Sequence, residues 1–124
     1  MNAKHGTAED LKLIFACSGA SDVGHLTDLA ARALARDGAG RMYCLAGIGG
    51  RVESMLAMTR STKKIVALDG CAQECARKTL ELAGFSAFAH LKLEGLGLAK
   101  GQSPPTAGRV RLIAGKAAAL LKKT

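Results

Sequence analysis

Cys17, Cys44, Cys71 and Cys75 are the residues of this 124-residue chain best equipped for chemistry. A thiolate can serve as nucleophile, redox group or metal ligand, and four of them complete a tetrahedral zinc site. Cys71 and Cys75 are four residues apart, a spacing that puts both on one face if the segment is helical. Cys17 and Cys44 are distant in sequence, so only the fold can bring them to the same place. In a small secreted protein an even cysteine count would suggest disulfides. Here the N-terminus MNAKHGTAED lacks an apolar signal segment. No apolar run nears the roughly 20 residues of a membrane-spanning helix. The expected setting is the cytoplasm, with no membrane partner, where thiols stay reduced.

The elements that must position these thiols follow a strand–helix alternation. Lys12 to Ala16 (KLIFA) is a short β-prone run that ends at Cys17-Ser18-Gly19. Ser21 and Asp22 supply capping side chains for a helix from about Val23 to Arg36, with Leu26, Leu29, Ala30, Ala33 and Leu34 at helical spacing. Arg41 to Leu45 is the second strand, followed by Ala46-Gly47-Ile48-Gly49-Gly50 and a helix from about Arg51 to Met58. Lys63 to Leu68 is the third strand, turned by Asp69-Gly70 into a helix over Cys71 to Leu82. Phe85 to Leu93 reads as a fourth strand. A loop over Glu94 to Pro105 leads to a last helix from Ala107 to Lys122.

This pattern predicts an α/β fold: a single three-layer domain with a mostly parallel sheet of about four strands and helices on both faces. Residues 1–10 are expected to be a flexible lead-in, with the domain over 11–124. Right-handed crossovers gather every strand-to-helix loop at one edge of the sheet, the edge where open α/β sheets bind ligands. All four cysteines fall at that edge, although they span most of the chain. Core cysteines have no reason to collect there, so the pattern favours a metal ion as partner, with zinc the expected cofactor. A redox thiol site and inert buried cysteines are the competing readings. Asp69 can accept backbone N–H bonds within the turn or act as a functional carboxylate beside the cysteines. Ser18 and Gly70 flank the thiols, and Gly49 and Gly50 can present backbone N–H groups to an anion or a sulfur. Of the histidines, His5 lies in the lead-in, His25 reads as a helix surface position, and His90 as a strand residue at the sheet rim.

Asp69-Gly70-Cys71 followed by Cys75 resembles the DGC-domain family, as do the Cys-Ser-Gly segment after the first strand and Cys-Leu-Ala-Gly-Ile-Gly-Gly after the second. Leu96-Gly97-Leu98-Ala99-Lys100 is similar to that family's Leu-Gly-Ile-x-Lys segment, with leucine in place of isoleucine at Leu98. The resemblance runs from about Leu13 to Lys100. It implies that Cys17, Cys44, Cys71 and Cys75 are the four characteristic cysteines of a family described as zinc-binding. The function expected from it is a zinc-binding protein with a structural, sensing or carrier role. The alternative is a cysteine-dependent redox or sulfur-transfer enzyme using Cys17 or Cys71.

Other functions fit less well. Eighteen basic against ten acidic residues give a net charge of +8. The basic residues are scattered, and aromatics make up only 3%, too few for a base-stacking platform, so a nucleic-acid partner is not expected. Gly47-Ile48-Gly49, with Asp69 about 20 residues on, matches part of a dinucleotide fingerprint, but Val52 occupies the third glycine position. A phosphatase loop would need Cys71 and Arg77 to flank a glycine-bearing loop. The segment between them contains no glycine and reads as helix. No protein partner is indicated.

Overall fold

The computed structural model describes residues 11–122. The lead-in expected over 1–10 lies outside the described residues, as do residues 123 and 124. Four strands, β1 (Lys12–Ala16), β2 (Arg41–Met42), β3 (Lys64–Asp69) and β4 (Ala89–Lys92), form one sheet in the order β2-β1-β3-β4. Every pairing is parallel, with Leu13 opposite Arg41, Ala16 opposite Leu68, and Leu68 opposite Leu91. Five helices connect and cover it: α1 (Asp22–Arg36), α2 (Leu45–Gly49), α3 (Glu53–Ser61), α4 (Cys75–Leu82) and α5 (Ala107–Lys122). The three-layer α/β fold expected from the sequence is the one found.

Successive residues of a strand point to opposite faces, so a sheet covered on both sides needs continuous apolar strands. Ile14, Ala16, Val66 and Leu68 face one core, closed by α1 through Leu26, Ala30 and Leu34 and by α5 through Ile113, Ala117 and Leu121. Leu13, Phe15, Ile65 and Ala67 face the other, closed by Ile48 of α2, Leu56 of α3, and Ala76 and Leu80 of α4. The chain steps from β1 outward to β2, then back across β1 to β3. The loops after β1 and β3 therefore leave toward opposite faces, and the crevice between them is the switch point where this class of sheet receives ligands.

Several elements depart from the sequence reading. β2 stops at Met42, because Cys44 turns the chain into α2. The glycine-rich run expected as a loop is therefore helical. Its Gly47 is buried, and a Cβ there would lie 1.9 Å from Met55 Sδ, so a larger residue would require the Met55 side chain to move. The helix expected over Arg51 to Met58 runs instead from Glu53 to Ser61. β4 is shorter than Phe85 to Leu93 and passes into a tight 3-10 turn over Leu93–Leu96. The helix expected from Cys71 begins only at Cys75, since Glu74 adopts a left-handed φ of 55° that a helix cannot contain. Cys71 thus precedes the helix, and the expected pairing of Cys71 and Cys75 on one helical face is not present. Among the described residues, no helix is long and apolar enough to cross a membrane.

Candidate functional site

Cys17 is the first residue beyond β1, and its N–H donates to Leu68 O at 3.0 Å, which prolongs the β1–β3 pairing. Its sulfur lies 3.3 Å from the hydroxyl of Thr27, a fully buried residue one turn into α1. Thr27 gives its single proton to Gly24 O at 2.8 Å and accepts the N–H of Ser18 at 3.1 Å. The Cys17 S–H is therefore the donor in its contact with Thr27. Ser18 takes a left-handed φ of 50° and donates its hydroxyl to Asp28 Oδ1 at 2.8 Å. Asp28 also holds Arg32 at 2.7 Å. Burial pushes the Asp28 carboxyl up, but the bonds from Arg32 and Ser18 outweigh it and leave the group below its ordinary value.

Cys44 caps the N-terminus of α2, with its exposed sulfur accepting the N–H of Gly47 at 3.4 Å. The backbone donor that meets a thiol here is Gly47, while the N–H of Gly50 is spent on Ala46 O at 2.8 Å. Cys17 and Cys44 line one cleft of about 660 Å³ with Arg32, Tyr43 and Thr79. The larger cavity, about 830 Å³ between α1 and α5, contains no cysteine.

The Asp69-Gly70-Cys71 turn is held in place by its neighbours. Asp69 is 1% exposed; its Oδ1 accepts the N–H of Ala76 at 2.7 Å, and its Oδ2 accepts that of Arg77 at 3.0 Å. These are first-turn donors of α4 that have no partner within the helix, so a carboxylate from the strand end caps the helix behind it. His90 Nε2 lies 2.8 Å from the same Oδ2, bridging β4 to the turn. A Cβ on Gly70 would lie 2.7 Å from Val23 C, and one on Gly24 would lie 2.6 Å from Gly19 N, so three backbone segments meet here without side chains between them. Glu74 is ion-paired to Arg77, and to Lys92 at 2.8 Å; the hydrogen bonds from Lys92 and then Arg77 lower its pKa from 4.5 to about 2. Across the edge, Asp22 accepts the N–H of Gly101 at 2.9 Å and of Ser103 at 2.9 Å, pinning the loop before α5 onto α1 and drawing its own pKa down.

All four cysteines stand at the C-terminal edge of the sheet, as the alternation predicts, and none is paired in a disulfide. Their chemistry fits zinc, which takes thiolate donors. Their arrangement is open. Cys17 packs against the α2–α4 core and Cys71 against the α1–α5 core, and among the described residues no three His, Cys, Asp or Glu side chains are grouped as a metal centre. His25 is exposed on α1. The sequence reading of Asp69 as an acceptor of backbone N–H bonds holds. Two partners went unseen in it: Thr27, which reads only as an interior helix residue, and the His90 contact, which needs the β3–β4 register to become visible.

A DGC domain match covers residues 13–116. The chain is also 38% identical over 92 residues to the Anaerobic and virulence modulator AnvM of Pseudomonas aeruginosa, covering 74% of this chain and 70% of the relative. No solved structure gives a significant match. The motif residues, the fold that carries them to one edge and these two likenesses agree: the chain belongs to the DGC domain family.

Proposed function

We propose that this DGC domain is a zinc-binding module that takes the metal on thiols of the sheet's C-terminal edge and serves a structural, sensing or carrier role. The observation that carries the reading is the convergence of Cys17, Cys44, Cys71 and Cys75 on one edge from loops after three neighbouring strands. These four residues would hold the ion, and the ion would supply positive charge that keeps them as thiolates. The open arrangement implies that binding is coupled to movement at the end of the edge that carries Cys17 and Cys44. Two apolar cores on the faces of the sheet would supply the folding energy, unlike a zinc finger, where metal binding is the folding energy. Metal content and thiol accessibility of the freshly purified, reduced protein test this. One zinc per chain, with all four thiols shielded from alkylation until a chelator is added, is the expected result. Four freely alkylated thiols in the presence of excess zinc would overturn it.

A further inference from the structure

The zinc reading takes Cys17 and Cys44 as ligands, but the cleft they share also sets them up to react with each other. β1 and β2 are neighbouring parallel strands, with Leu13 opposite Arg41 and Ile14 opposite Met42. The Tyr43 N–H donates to Ile14 O at 2.9 Å, carrying the pairing one residue past β2. Cys17 directly follows β1 and Cys44 directly follows Tyr43, so two neighbouring strand ends deliver the two thiols to one place. Both cysteines line the same cleft of about 660 Å³, whereas Cys71 packs toward the opposite core.

The two sulfurs also differ in a way that sets an order. Cys44 is exposed, and its sulfur accepts a hydrogen bond from Gly47. Cys17 is half-buried, and its S–H is engaged by Thr27. Attack by Cys17 costs that one contact, since Thr27 keeps its bonds to Gly24 and Ser18 and the loop stays anchored.

We infer that Cys17 and Cys44 form a reversible disulfide on exposure to low-molecular-weight disulfides, with Cys44 reacting first. The Cys44 thiolate attacks one sulfur of the small disulfide. That S–S bond breaks, and the departing thiolate takes up the proton Cys44 released. The mixed disulfide at Cys44 is then attacked by Cys17, which expels the second small thiol with the proton from Cys17. Two protein thiols are oxidised and one small disulfide is reduced to two thiols. The inference needs no metal, so it stands or falls apart from the zinc reading.

The test uses the reduced, chelator-treated chain incubated with oxidised glutathione, followed by alkylation, intact mass and peptide mapping. The expected product has lost the mass of two hydrogens and carries one link, between Cys17 and Cys44, that dithiothreitol reverses. Cys17→Ser should stop at a glutathione adduct on Cys44, and Cys71→Ser/Cys75→Ser should still form the link. Circular dichroism of each variant confirms that it is folded when it is scored. A link between Cys71 and Cys75, or glutathione adducts on all four cysteines without a link, would overturn the inference.

Discussion

At the β3 end of the sheet edge, the turn carrying Cys71 and Cys75 is held by a buried carboxylate, a ring of ion pairs and a glycine pressed against α1. At the β1–β2 end, Cys17 and Cys44 flank an open cleft, and β2 is only two residues long. The same four thiols thus sit on two supports of different stiffness. A site that must close around an ion can keep one half fixed and move the other, which confines the entropy cost of ordering to few residues. The left-handed Glu74 sharpens this contrast. It excludes Cys71 from α4 and leaves Asp69, instead of helical geometry, to set where the two cysteines stand.

The largest expected effect comes from breaking the fixed half. Asp69→Ala leaves the N–H groups of Ala76 and Arg77 without their acceptor and removes the partner of His90. Loss of a helix cap together with buried donors left unpaired should cost about 2–4 kcal/mol. Chemical denaturation of the variant against the parent measures this. A change within experimental error would show that Asp69 does not hold the turn.

A smaller effect is expected from the ion pairs around the turn. The folded-state pKa of Glu74 is lowered from 4.5 to about 2, so the charged group contributes stability that is fully present above about 4.5. That contribution is lost as pH falls from there toward about 2, because the unfolded chain takes up the proton first. Thermal midpoints measured across this acid range should fall less steeply for Glu74→Gln than for the parent. Parallel slopes would show that the pairing with Lys92 and Arg77 is worth nothing in solution, as many exposed pairs are.

Much of this edge was legible before the structure. β1 and α5 fall on the residues their apolar patterns indicate, and the strand–helix alternation sufficed to place four distant cysteines together. The misreadings share a cause: local composition was overruled by tertiary contact. Gly47 looks like loop, yet it is helical, its N–H capped by Cys44 and its side-chain space taken by Met55 of α3. The run from Cys71 to Leu82 looks like unbroken helix, yet its first turn is unwound where Glu74 meets Lys92 of β4. Thr27 gave no local signal and His90 read only as a strand residue at the sheet rim, since each matters through a residue brought near by the fold.

The central claim is that the edge thiols bind zinc while the sheet and its two cores hold the fold. Zinc titration of the reduced Cys71→Ser/Cys75→Ser variant, read together with its far-ultraviolet circular dichroism, tests both parts at once. The account predicts that zinc binding is lost, while the helical signal and the cooperative unfolding of the metal-free parent are kept. Zinc binding equal to the parent's would place the metal elsewhere, and a globally unfolded variant would make the site part of the fold's foundation; either result contradicts the account.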